Sequence, residues 1–189
     1  MNHYVEMRVR NVPDISPRQI AAKTIERLHI VLAANSQLNI GLSFPDLASE
    51  SSAIMPGFRI RLHSDLSALN DVLAADRLRS ITDYLDISPA IPIPNQTKHM
   101  TYRRYRPYAA LPCRRRRHMR RHQVDYQTAC QQIPDSRLES CSLPFLTMHS
   151  HSTGQRFRIY IQPGPIMDSP VSGSFNSYGL SSGATVPHF

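Results

Sequence analysis

Two groups of residues carry side chains able to move a proton or hold a phosphate. His29 follows Leu28, on the flank of a helical apolar stripe. A histidine is the side chain best suited to proton transfer near neutral pH, although a single histidine so placed is more often an ordinary surface or boundary residue. The second group is Met148-His149-Ser150-His151-Ser152-Thr153-Gly154-Gln155-Arg156-Phe157, where hydroxyls, an arginine and a glycine lie between two strand patterns. That segment suits a hairpin loop gripping a phosphate or ribose, and it suits a plain polar turn equally well. The chain has no carboxylate cluster for two-metal phosphoryl transfer, no P-loop and no GxSxG elbow. A nuclease made from these residues is therefore expected to use neither metal nor cofactor. RNA permits this, because its own 2′-hydroxyl attacks the adjacent phosphate once a base, a positioning group and an in-line grip are supplied.

A third group binds instead of reacting. The 189 residues carry 22 Lys+Arg against 14 Asp+Glu, a formal charge of +8. Between Ile87 and Val124 there are ten basic residues and no acidic one, which leaves the rest of the chain slightly acidic at 12 against 14. Charge this localised points to a polyanion partner. At 100° per residue, Arg114, Arg116, Arg117, Arg120 and Arg121 share a helical arc of roughly 160°, with Arg115, Met119 and His122 on the other side. Guanidiniums fork onto phosphates and purine edges; a solvated charged face or a localisation tract is the plainer reading. Tyr102, Tyr105 and Tyr108, interleaved with Arg103, Arg104 and Arg106, suit base stacking or simple packing.

The elements that must position these groups show in the hydrophobic pattern. Val5, Met7 and Val9 alternate with polar residues as in a half-buried strand. Ser16-Pro17 starts a helix that runs to about Ala34, with Ala21, Ile25, Leu28 and Leu32 inward and Asn35 at its end. Ile40, Leu42 and Phe44 form a strand stopped by Pro45. Phe58, Ile60 and Leu62 alternate with Arg59, Arg61 and His63 in the next. Ser64-Asp65 caps a helix with Leu66, Leu69, Val72 and Leu73 as its stripe, and a helical stretch leads on to the apolar run Ile87 to Ile93. Strand, helix, strand, strand, helix, strand is the split β-α-β order of ferredoxin-like and RNA-recognition domains.

Pro89, Pro92 and Pro94 end that unit, so two domains are expected, 1–94 and 95–189. The second is a smaller α+β domain with an extended arm at 99–108, an arginine-rich helix at 113–122, a hairpin of strands at 143–149 and 156–162, and a Gly/Ser-rich end with a compact SYGLSSG segment. The fold class is thus α+β. The longest aliphatic stretch, Ile30 to Ala34, is too short to span a bilayer, and MNHYVEMRVR lacks an apolar signal core. Cys113, Cys130 and Cys141 have no metal-type spacing and read as reduced thiols, so no membrane association, secretion or structural metal is expected.

Several short blocks recur in a fixed order: LHI around His29, IGLSFPDL at 40–47, RRRHMRRH at 115–122, IPD at 133–135, LPF at 143–145, STGQRFRIYI at 152–161, SYGLS at 177–181 and the final VPHF. Together they resemble the subtype I-F CRISPR-associated repeat-processing endoribonuclease over nearly the whole chain. The resemblance implies metal-independent cutting of precursor CRISPR RNA at the base of each repeat hairpin, leaving a 2′,3′-cyclic phosphate or 3′-phosphate and a 5′-hydroxyl. It implies that His29 deprotonates the 2′-hydroxyl, Ser150 holds that hydroxyl and Tyr178 orients the histidine, and that Phe157 stacks beneath the last base pair of the stem. Arg104 and Arg106 align with positions that read base edges; the family has a glutamine at the second, and arginine favours guanine where glutamine favours adenine. The helix bearing Arg114, Arg115, Arg116, Arg117, Arg120 and Arg121 is expected on the hairpin's phosphates, with Ser152 and Gln155 as further RNA contacts. The implied partners are the repeat hairpin RNA and the other subunits of the subtype I-F surveillance complex, in a prokaryotic cytoplasm. A non-catalytic hairpin-RNA-binding subunit is the alternative, and a basic DNA-binding regulator a more distant one.

Overall fold

The first apolar alternation forms strand β1, His3–Val9, with Val5, Met7 and Val9 buried. Helix α1, Pro17–Ala34, begins at the expected Ser-Pro step, where the Gln19 side-chain oxygen accepts the Ser16 N–H at 3.2 Å. Its inner face, Ala21, Ile25, Leu28 and Leu32, is buried as its spacing requires. Strands β2 (Gly41–Ser43) and β3 (Arg59–Ser64) follow. Helix α2 (Leu66–Ala74) is capped by the Asp65 carboxylate, which accepts the Ala68 N–H at 2.9 Å. A single-turn α3 (Asp76–Arg79) leads into β4 (Leu85–Ile87). The sheet order is β2-β3-β1-β4, antiparallel throughout, with Val5 opposite Leu62 and Met7 opposite Ile60. This is the split β-α-β arrangement. A short β5 (Ile91–Pro92) also pairs with β1, so the proline segment begins as an added strand.

The structure is a computed structural model and describes residues 1–35, 37–48, 56–107, 110–135, 141–150 and 154–189. A second sheet is built from β6 (Lys98–Tyr105), β7 (Phe145–His149), β8 (Arg156–Met167) and β9 (Val186–His188), in the order β7-β8-β6-β9. Each sheet draws its strands from one side of Pro94. Both nevertheless feed one hydrophobic core, in which Leu28, Leu42 and Leu62 join Ile159, Ile161 and Val186. Helix α1 packs on β1 and also on β7. The compact units are Met1–Arg104 with Pro144–Phe189, and Tyr105–Leu143. The latter holds α4 (Ala110–His122) and α5 (Tyr126–Gln132), with Asp125 capping α5 and Leu111 and Ala129 buried. Among the described residues no helix is long and apolar enough to cross a membrane.

Five positions depart from simple alternation. Phe58 and Leu66, expected in the core, are 44% and 45% exposed, each sitting just before or at the start of its element. Arg61 and His63, expected on a solvent face, are buried, because the far side of β3 is also covered. The Arg61 guanidinium donates to Glu6 at 2.8 Å and lies 4.3 Å over the Phe189 ring and 5.4 Å over Tyr4. His63 Nε2 sits 2.8 Å from Ser43 Oγ. Burial first, then the Arg61 charge, pushes the His63 pKa down to about 3, so the ring is neutral at physiological pH. Tyr160 is likewise buried, against Phe145, although it occupies a polar position of the strand pattern.

Candidate active site

A cavity of about 570 Å3 in the first unit gathers His29, Arg104, Ser150, Gln155, Phe157 and Tyr178. They arrive from four separate places. His29 projects from α1 five residues before its end, and Arg104 comes from the end of β6. Ser150 and Gln155 bracket the tip of the β7–β8 hairpin, where the Ser150 N–H donates to the Gln155 carbonyl at 2.9 Å. Phe157 lies on β8, opposite Met148. Ser152 and His151 lie outside the described residues.

The histidine is held by the SYGLS segment. Its ring lies parallel to that of Tyr178, with centroids 3.9 Å apart and planes 4° apart. Its Nδ1 donates to the Ser177 carbonyl at 3.1 Å. A carbonyl only accepts, so Nδ1 carries the hydrogen, and in the neutral ring Nε2 is the acceptor nitrogen. The turn itself is a local device. Asn176 Oδ1 accepts the Tyr178 N–H at 2.8 Å, and the Gly179 N–H donates to the Asn176 carbonyl at 2.8 Å. The Gly179 carbonyl accepts the Leu42 N–H at 2.8 Å, tying the turn to β2. Gly179 has φ +68°, and an added Cβ would stand 2.1 Å from the Leu42 side chain. Only glycine meets both conditions. Over this pair lies Arg104, its guanidinium carbon 4.9 Å from the Tyr178 ring centroid and 5.6 Å from that of Phe157.

The roles of one lining residue, Glu26, and one supporting residue, Gly179, did not show in the sequence. Glu26 precedes His29 by one helical turn and is 4% exposed, with Lys23 Nζ at 3.0 Å. The i, i+3 spacing to both Lys23 and His29 was its only signal. Gly179 was hidden because close approach to Leu42 is a tertiary fact.

In the second unit, Arg114, Arg116, Arg117, Arg120 and Arg121 are exposed along α4, and Arg106 is exposed ahead of it. Arg115 is different. It is buried, donates from Nε and Nη2 to the Ile133 carbonyl at 2.9 and 2.7 Å, and meets Asp135 at 2.8 Å. Its guanidinium thus closes the α4–α5 pair, consistent with its place off the arginine arc. Tyr102, a stacking candidate, is packed instead: its ring meets Phe44 edge-on at 5.5 Å, and burial raises its pKa to about 12.

Known proteins are similar to this chain in sequence along its whole length. The chain is 36% identical over 189 residues to "CRISPR-associated endonuclease Cas6/Csy4" of Pseudomonas aeruginosa (strain UCBPP-PA14), with all of both chains covered. It is 35% identical, again over the full length of both, to the protein of the same name from Escherichia coli (strain UTI89 / UPEC). A family model described as "CRISPR-associated protein (Cas_Csy4)" matches residues 4–189. With that match spanning both sheets, the cavity and the arginine helix, the chain belongs to the Csy4 family of CRISPR-associated proteins.

Proposed function

We propose that the chain is a metal-independent endoribonuclease that cuts precursor CRISPR RNA at the base of the repeat hairpin and retains the product as a subunit of the surveillance complex. The observation that carries this reading is the held imidazole: Nδ1 engaged at Ser177, the ring stacked on Tyr178, and Ser150 in the same cavity. In the proposed reaction His29 Nε2 takes the proton of the 2′-hydroxyl, and Ser150 fixes that hydroxyl beside the phosphate. The 2′-oxygen attacks phosphorus, the 5′-oxygen departs and takes up a proton, and a 2′,3′-cyclic phosphate forms. Tyr178 acts through the histidine by fixing its plane. Phe157 supplies an apolar shelf for the last base pair, and Arg104 a charge beside the scissile phosphate. The exposed arginines of α4, with Arg106 ahead of them, bind the stem; Arg115 keeps the helix in place. The division into 1–94 and 95–189 remains our proposal for the domains of this enzyme, the first carrying the base and the second the RNA grip.

Incubation of the protein with the repeat RNA of its CRISPR array in excess EDTA tests this reading. Cleavage is expected, and His29→Ala should abolish it while keeping affinity within a few-fold. RNA that stays intact under conditions of full binding makes the chain a binding subunit instead.

A further inference from the structure

A second cavity, of about 600 Å3, follows the first along α1. Glu26 and His149 line both, so the two are neighbours along the helix. Residues 26–33 of the helix side border the candidate active site, and residues 16–26 border the second cavity. Its charge is one-sided. Among the described residues lining it, Arg18, Lys23, Arg156 and Arg158 stand with one carboxylate, Glu26, which Lys23 meets at 3.0 Å.

The strand register explains the crowding. On the β7–β8 hairpin Thr147 stands opposite Arg158 and His149 opposite Arg156, while Met148 and Phe157 pair between them. Side chains alternate across a sheet, so the hairpin turns Phe157 to the first cavity and both arginines to the second. Helix α1 adds Arg18 from its first turn. Arg18 and Arg158 each place a guanidinium carbon 4.4 Å over the Phe145 ring, and Arg18 also donates to the Phe145 carbonyl at 3.3 Å. A guanidinium resting by its face on a ring keeps its donors in the plane's edge, the geometry that forks onto phosphate oxygens. Four cationic side chains line one groove, a lining that suits a polyanionic strand.

We propose that this groove binds the phosphates of the single RNA strand that continues past the scissile bond, away from the hairpin. The inference rests on the nuclease reading of the first cavity, since it takes the strand to leave from there. The helix segment from 16 to 26 spans about 15 Å at the 1.5 Å rise per residue, room for a few nucleotides. With the Phe145 ring already under two guanidiniums, the groove senses backbone charge and not base identity.

Two RNAs test it, both carrying the repeat hairpin and a 2′-deoxy sugar at the cut so that neither is cleaved. One ends a single nucleotide past the cut; the other continues for about six more. The longer RNA should bind the full-length protein roughly fivefold or more tightly at low salt, and its log–log salt slope should be steeper by about 0.7 per added phosphate contact. The double variant Arg18→Gln/Arg158→Gln should erase the difference and leave the short RNA's affinity within about twofold. Arg156→Gln, at an exposed position, should remove part of it and covers the case of a misfolded double variant. Equal affinities and slopes for the two RNAs overturn the groove assignment, as does a variant that weakens both RNAs alike. If neither RNA binds the unaltered protein, it is the hairpin-nuclease reading that fails.

Discussion

Gly179→Ala separates the geometry of the site from its chemistry, because the added methyl points at Leu42 and Gly179 is not among the residues lining the cavity. Two costs follow from its position. A side chain at φ +68° costs about 1 kcal/mol in backbone strain. The new Cβ would also fall 2.1 Å from Leu42 Cδ1 and 2.6 Å from its Cγ. Leu42 is 1% exposed and cannot swing into solvent, and overpacking of this kind costs about 1–3 kcal/mol. The sum of about 2–4 kcal/mol corresponds to a melting temperature lower by roughly 5–15 °C for a chain of this size. The turn can relieve the clash only by moving away from β2, and it carries Tyr178 and the Ser177 carbonyl with it. A displacement near 1 Å of a group that orients the base costs on the order of 10²-fold in rate. Thermal unfolding by circular dichroism and single-turnover cleavage at saturating protein read the two effects. Gly183→Ala is the matched control, since its added Cβ meets nothing within 4 Å. Wild-type melting and cleavage in Gly179→Ala, or equal damage in Gly183→Ala, would refute the argument that this close approach positions the imidazole.

Other expectations follow from neighbouring residues. Tyr178→Phe keeps the stacked ring and should cleave within a few-fold of wild type, whereas Tyr178→Ala should lose about 10-fold or more with hairpin affinity retained; equal loss in both would assign the work to the hydroxyl. Arg115→Gln should expose residues 105–143 to limited proteolysis and change the RNA salt slope little, whereas Arg117→Gln should leave proteolysis unchanged and reduce the slope by roughly 0.7. The reverse pattern would make Arg115 an RNA contact. For pH dependence, the folded His63 pKa lies near 3, below the ordinary 6.5. The unfolded chain therefore takes up that proton first, and stability falls as pH drops from about 6.5 toward 3. His188, lowered by burial and by Arg61, acts in the same sense. His63→Gln keeps a donor for Ser43 and should flatten the change in urea midpoint between pH 7 and 4.5; an unaltered slope would contradict the neutral buried ring.

Elements fixed by local periodicity were legible from residue order alone. The Ser16-Pro17 start of α1, its buried stripe, the Asp65 cap and the strands around Val5, Leu42 and Ile60 need only neighbouring residues to specify them. Burial imposed from a distance was not legible. Arg61 and His63 read as solvent-facing because Phe189, which covers Arg61, lies more than a hundred residues away. The helical spacing set Arg115 apart from the five exposed arginines, but its partners, the Ile133 carbonyl and Asp135, come from α5's far end and beyond and had no local signal. Short β5, α5 and β9 carry too few residues to show a period. His29 and the Ser150 loop were visible as chemical types, yet each had a plain alternative. What joins them is the packing of α1 on β7 and the turn at Asn176–Gly179, neither of which has a spacing signature.

The central claim is that the RNA's own 2′-hydroxyl is the nucleophile and His29 its base. The most direct measurement compares cleavage, in excess EDTA, of two repeat hairpins that differ only by a ribose or a 2′-deoxyribose at the cut, with the product ends mapped. The account predicts a 2′,3′-cyclic phosphate and a 5′-hydroxyl from the first, and full binding without cutting of the second. Cutting of the deoxy hairpin, or no cutting of the ribose hairpin until a divalent ion is restored, would contradict it.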